Sequence, residues 1–170
     1  MTTQVFIQSL ADYNAGRIVG DWVDVTGMEE SDLREAINKV LAQSKEETAE
    51  EWMIADYEGF YSFELGEYSS NKTIIEAAKA INEHGEAYTL YASYIGLEYA
   101  TTEGFEEAYC GEWDSFREYS DQLFDELYAH DIPDSIRFYI DYEAFARDLE
   151  IGDYYHDTDD TGKTHVFRCI

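Results

Sequence analysis

The polar and apolar positions fall into short runs that predict short elements. QVFIQSL, 4–10, mixes β-branched and aromatic residues and predicts a strand. Gly16 and Gly20 in YNAGRIVGDWVDV predict a turn into a second extended segment at 21–25. SDLREAINKVLAQ, 31–43, sets Leu33, Ile37, Val40 and Leu41 on one helical face, with Ser31 positioned to cap it. The aromatic-rich run EWMIADYEGFYSFEL, 51–65, predicts a further extended stretch broken at Gly59.

The middle of the chain changes period. NKTIIEAAKAINEH, 71–84, carries Ile74, Ala78 and Ile81 on one side, and Gly85 stands where a helix ends. EAYTLYASYI, 86–95, predicts a second helix closed by Gly96, and a shorter one falls near 102–109. Over 115–129, Ser115 and Glu118 have capping-box spacing. Phe116, Tyr119, Leu123, Phe124 and Leu127 form the apolar stripe of that helix. IPDSIRFYIDYEAFARDL, 132–149, holds the only proline and predicts a turn, a short helical piece and a helix at 141–149. HVFRCI, 165–170, closes as a strand. The expected class is α+β, with an α/β front over 1–66, a small helical unit over 67–103 and an α/β back over 104–170.

Composition adds charge to this outline. The chain of 170 residues carries 38 acids against 11 Lys plus Arg, a net charge of −27. Hydrophobic residues make up 45% and aromatics 16%, enough for packed cores, so the acidity does not mean disorder. The acids are uneven: 15 against 4 bases over 1–70, 4 against 2 over 71–102, and 19 against 5 over 103–170. Like charges repel and weaken the compact state, so a protein that keeps them uses them or lives in high salt. An acidic surface excludes binding nucleic acid through a basic patch, and anionic membranes repel it. No apolar stretch is long enough to span a bilayer. MTTQVFIQSLADYNAG has no basic leader region, and Cys110 and Cys169 cannot build a disulfide framework, so a cytoplasmic location is expected.

Candidate chemistry is sparse. In DTDDTGKTHVFR, residues Asp157, Asp159, Thr161 and Gly162 match four positions of a calcium loop, but Arg168 stands where the bidentate Glu belongs. Gly162–Lys163–Thr164 lacks the upstream glycine of a phosphate loop, since Asp157 occupies it. His84, His130, His156 and His165 have no metal-ligand spacing. With so many acids, some carboxylates lie close together in any fold, so proximity does not identify a catalytic pair. Neither an enzyme, a metal nor a cofactor is expected.

The acids are the better signal. EEAYCGEWDSFREYSDQLFDELYAHD, 106–131, interleaves nine carboxylates with six aromatics and one Arg. Glu118, Asp121 and Asp125 line the polar face of the predicted helix at spacings of three and four. Their axial separation, about 4.5–6 Å from the helical rise, is of the order of the ~3.4 Å advance of phosphates along one DNA strand. At one charge per ~1.7 Å of duplex, the net charge matches roughly 45 Å of B-DNA. The candidate partner-binding carboxylates are Glu106, Glu107, Glu112, Asp114, Glu118, Asp121, Asp125 and Glu126.

Several blocks resemble the ArdA family of antirestriction proteins: YNAGRIVGDWVD, IADYEGF, YCGEWDSFREYSDQL and, above all, IPDSIRFYIDYEAFARDLE. The last is the most specific, through Tyr142, Glu143, Arg147, Asp148 and Leu149. The resemblance implies a DNA mimic carried on mobile elements. It would bind type I restriction-modification enzymes in the groove meant for DNA, blocking restriction and often modification. It also implies an elongated chain of three small domains that forms a homodimer through the last. The family's antirestriction motif falls at about 123–140. Leu123, Leu127, Ile132, Pro133, Ile136, Phe138 and Tyr139 are then its expected dimer contacts. An acidic adaptor or chaperone for a basic nucleic-acid-binding protein, a hydrolase or calcium-dependent enzyme using an acidic cleft, and halophilic adaptation stand as alternatives.

Overall fold

The structure, a computed structural model, describes residues 2–46, 49–97 and 99–169. Its class is α+β, with helices and antiparallel sheets, as the periodicities predict. The chain divides into two compact units, one reaching Thr89 and the other beginning at Leu90.

In the first unit, β1 (Gln4–Ser9) is the central strand of a three-stranded antiparallel sheet. Its neighbours are β2 (Gly20–Asp24) and β3 (Trp52–Glu58). Val5 and Ile7 alternate toward the core and are fully buried. The expected strand stops short of Leu10, because Ser9 caps a short helix, α1 (Leu10–Asn14). The Ser9 hydroxyl accepts the Asp12 amide, which a strand could not satisfy there. At the far end of β3 the chain turns at Gly59, φ 79°. A Cβ there would stand 2.2 Å from the Thr2 carbonyl oxygen, so only glycine fits.

The helix predicted at 31–43 is α2 (Glu30–Leu41), and Leu33, Ile37 and Val40 are buried as its spacing requires. Ser31 does not cap it. Glu29 is the N-cap, in a reciprocal arrangement with Asp32, whose carboxylate accepts the Glu29 amide at 3.0 Å. The helix therefore starts two residues earlier than a Ser31 cap would set it. Next in sequence come α3 (Asn71–His84), capped by Ser70, and α4 (Glu86–Ile95). Gly85 separates them at φ 64°. The division between units falls within α4.

In the second unit, α5 (Thr102–Ala108) leads into β4 (Tyr109–Trp113), which the hydrophobic pattern does not predict. Gly111 at φ 102° bulges the strand and erases any alternation in YCGEW. The stretch predicted helical at 115–129 is α6 (Phe116–Leu127), followed by a 3-10 turn at Ala129–Asp131. The proline block gives α7 (Asp134–Arg137) and α8 (Tyr142–Gly152). β5 (Tyr154–Thr158) is a second unexpected strand, and β6 (Thr164–Arg168) the expected closing one. The sheet order is β4-β6-β5, with β6 buried in the middle. Within DTDDTGKT, residues 159–163 thus form the hairpin turn between β5 and β6.

Helices α6 and α8 pack together against this sheet. Phe116, Tyr119, Ala146 and Val166 form the centre, with Cys110, Trp113, Leu123, Leu149 and Tyr154 packed around them. None of the described helices is long and apolar enough to cross a membrane.

Candidate functional site

The acids of the second unit sit on regular elements. Glu106 and Glu107 are exposed on α5, Glu112 is exposed on β4, and Asp114 follows it. Glu118, Asp125 and Glu126 are exposed on α6, while Asp121 is half-buried. The fold brings this about from two directions. Phe116 and Tyr119 turn inward, so the opposite side of α6 stays in water. The capping Ser115 hydroxyl accepts the Glu118 amide at 3.2 Å and sets the start of the helix. The Glu118 carboxylate does not return to the Ser115 amide, as a capping box would have it, but accepts the Asp114 amide at 3.0 Å.

The surface is not a row of bare carboxylates. Arg117 Nε donates to Asp121 at 2.6 Å and the guanidinium lies 3.7 Å from Glu143. The Tyr142 hydroxyl donates to Asp125 at 3.1 Å, and the Gln122 amide to Glu126 at 2.7 Å. Strand register supplies another cation. In the β4–β6 ladder Glu112 pairs with His165 and Trp113 with Thr164. One step further, Asp114 meets Lys163, and Nζ donates to Oδ1 at 2.6 Å. The ammonium holds the Asp114 carboxyl below the usual carboxylate range. Asp114, and then Glu112 and Glu118, in turn raise the pKa of Lys163.

Beneath this edge lies a half-buried polar brace. Asp159 Oδ1 accepts the Thr161 amide at 2.9 Å, the Thr161 hydroxyl at 2.8 Å and the Lys163 amide at 2.9 Å. Its Oδ2 lies 3.1 Å from His165 Nε2, and His165 Nδ1 lies 2.8 Å from the Tyr109 hydroxyl. Burial disfavours the charge on Asp159, but the donors outweigh it and hold the carboxyl at about 2. Burial, with Glu112 and Asp159 adding negative charge, pushes the Tyr109 phenol up to about 12. Glu112, Asp159 and His165 bring ligand-type atoms within 4.8 Å of one another, the spacing of a metal site. Both ring nitrogens of His165 already have partners, so the group works as a hydrogen-bonded brace for the hairpin.

The apolar residues separate into two sets. Leu123 and Ile132 are half-buried, and Leu123 packs against the core of the unit. Leu127, Pro133 and Ile136 are exposed, and Phe138 and Tyr139 are 92% and 82% exposed. Pro133 leads into the four-residue α7, and the Arg137 guanidinium donates to the Ala129 carbonyl at 2.7 Å. That bond ties the segment back to its unit. Nearby, Leu123, Leu127, Phe145 and Leu149 line a groove of about 330 Å³. The Phe138 and Tyr139 rings lie edge to face, with centroids 5.9 Å apart.

Sequence reasoning missed Lys163 and the Asp159–His165–Tyr109 brace. Their only sequence signal was the failed calcium and phosphate-loop patterns around Asp159 and Gly162.

A family model described as antirestriction protein (ArdA) matches residues 5–163. A search of the curated proteins returned no match.

Proposed function

The chain belongs to the ArdA family of antirestriction proteins, and on that basis we propose that it is a DNA mimic. In this reading it occupies the DNA-binding groove of a type I restriction-modification enzyme and blocks restriction, and modification with it. The observation that carries the reading is the exposure of Glu112, Asp114, Glu118, Asp125 and Glu126 on a strand end and a helix that share one packed core. A rigid support presents charges at set spacings, as phosphates are presented, whereas a tail would spend its binding energy on ordering. The net charge of −27 favours fast, salt-sensitive association with a basic groove. Inhibition is stoichiometric competition and needs no cofactor. The same reading takes Ile136, Phe138 and Tyr139 as contacts of a homodimer, keeps the division at about 66 and 103 into three small domains, and places the protein in the cytoplasm.

The test is a displacement experiment. A type I restriction enzyme is loaded with a fluorescent DNA duplex and titrated with this protein at low and moderate salt. Release of DNA, weaker as salt rises, is expected. DNA that stays bound at moderate salt sinks the mimic reading.

A further inference from the structure

We infer that the outer face of the first unit's sheet, centred on Trp22, is a docking face for an arginine side chain of a basic partner protein. The inference rests on the mimic reading for the identity of that partner, while the chemistry of the face stands apart from it.

The sheet offers an open side. Helix α2 packs against β1 and β2, and Val5, Ile7 and Val23 are buried on the side that faces the core. Alternation sends Gln4 and Phe6 to the other side. Strand register lines up two rows there. One runs Trp22, Phe6, Asp56, and the next Asp24, Gln4, Glu58. Trp22 and the three acids are exposed, while Phe6 and Gln4 are half-buried. The Phe6 ring occupies the space over Gly20, where a Cβ would stand 2.8 Å from it. Trp22 packs edge to face with that ring, centroids 5.5 Å apart, and is still 39% exposed. The indole is thus held in a set place and yet left in water.

Three features select the occupant. First, the acids around the indole are unanswered. Among the described residues no Lys, Arg or His pairs with Asp24, Asp56 or Glu58, whereas Asp121 and Asp114 of the second unit each have a cation. Backbone amides fix two of them in place. Asp24 Oδ1 accepts the Thr26 amide at 2.9 Å, and Asp56 Oδ1 accepts the Tyr57 amide at 2.8 Å. Second, Asp24 follows Trp22 by two residues on the same face, about 7 Å along the strand. A guanidinium laid on the indole, within the ~6 Å reach of a cation–π contact, therefore meets the Asp24 carboxylate at its edge. A planar guanidinium stacks and pairs at once, which a compact ammonium does less well. Third, Gln8 lies two residues beyond Phe6 on the same side of β1. It is buried, and its side-chain nitrogen has no hydrogen-bond partner among the described residues. A main-chain carbonyl of the docking segment supplies the missing acceptor. A purely apolar partner would bury unpaired carboxylates, and an anionic one would be repelled.

Two measurements test the proposal. In the first, the indole N–H signal of Trp22 is followed by NMR in wild-type protein. The titrants are an arginine peptide and a lysine peptide of equal length and charge. The signal is expected to shift with both, at a concentration about 2- to 5-fold lower for arginine. A signal that stays still, or that follows both peptides equally, overturns the proposal. So does a signal that shifts with protein concentration alone, which marks the face as a contact between copies. In the second, Trp22→Leu and Trp22→Phe enter the DNA-displacement assay, with melting curves for each. Trp22→Leu keeps apolar bulk but loses the ring, and is expected to weaken inhibition about 2- to 5-fold, with Trp22→Phe closer to wild type. Trp22→Leu that inhibits as well as wild type, with an unchanged melting curve, overturns the proposal. Should Trp22→Leu melt early, the peptide titration decides alone. Wild-type protein that fails to displace DNA removes the mimic reading, and the Trp22 signal then decides the arginine seat by itself. Displacement of DNA with a silent Trp22 signal removes only the seat.

Discussion

The guanidinium of Arg17 lies 3.1 Å from the carboxylate of Asp12, and Asp12 is wholly buried. The hydroxyls of Ser44 and Ser9 donate to the same carboxylate, and Arg17 reaches on to Glu46. One buried charge thus ties α1, the loop after it and the segment after α2. Removing a partner leaves that charge uncompensated. Arg17→Ala or Ser44→Ala is expected to destabilise the first unit, and Arg17→Ala to lower Tm by about 5–10 °C. Asp12→Asn, which keeps the size but loses the charge, should fall between wild type and Arg17→Ala. Thermal melting of the three variants checks the order. Arg17→Ala melting with wild type would mean that water replaces the guanidinium without cost.

Asp159 gives a pH prediction. Its folded carboxyl titrates at about 2, below the ordinary 3.8, so the folded state binds the proton less readily than the unfolded one. The stabilisation it brings is complete above about 4 and is lost as pH falls from there through about 2. Mild acidification also relieves the repulsion among exposed acids, which works in the opposite direction. The comparison of wild type with Asp159→Asn isolates the one group. At pH 7 the variant is expected to be less stable, and the gap should close between about pH 4 and about pH 2. Chemical denaturation across that range measures it, and a gap independent of pH would rule the linkage out.

The apolar residues around 123–139 are expected to behave as two classes. Leu123 is half-buried and packs against the core, so Leu123→Ala should cost about 1–2 kcal/mol. Phe138 and Tyr139 are almost wholly exposed, so Phe138→Ala with Tyr139→Ala should leave the melting of the isolated fold within about 1 kcal/mol of wild type. If they form the homodimer contact, the double variant sediments as a monomer at concentrations where wild type is dimeric. A double variant that remains a dimer would place the interface elsewhere.

Neutralising single acids should do little. Glu112→Gln, Glu118→Gln and Asp125→Asn are each expected to weaken inhibition less than about 5-fold, and all three together far more, with a shallower salt dependence. Displacement titrations at two salt concentrations read both effects. A single substitution that abolished inhibition in a folded protein would point to one dominant contact instead of a spread surface.

Much of the fold was legible along the chain. Helices α2, α3, α4 and α6 follow from the spacing of Leu33–Ile37–Val40, Ile74–Ala78–Ile81, the apolar run after Gly85 and Phe116–Tyr119–Leu123. Strands β1, β3 and β6 follow from clustered β-branched and aromatic residues. Local side-chain chemistry decides such elements, so local reading finds them. Strands β4 and β5 escaped it. YCGEW is bulged at Gly111 and YYHDT ends in polar residues, so each becomes a strand only by pairing with β6. Caps were legible where the side chain answers its own helix, as at Ser115, and not where an acid pair competes, as at Glu29 and Asp32.

The same line runs through the acidic and apolar surface of the second unit. The sequence alone determined the strong negative charge, the acids at 118, 121 and 125 on one helical face, the apolar stripe opposite, and the family likeness, because these depend on residue type and spacing. Only the tertiary structure decided which acids carry a counter-charge. Arg117 answers Asp121 from one turn away, but Lys163 answers Asp114 from 49 residues away. That meeting depends on strand register, which is set when β6 is buried between its neighbours, and no local pattern encodes it. For the same reason Leu123 packs against the core while Phe138 and Tyr139 stayed in water. Burial is decided by what the rest of the chain packs against, and hydrophobicity states only what each residue would accept.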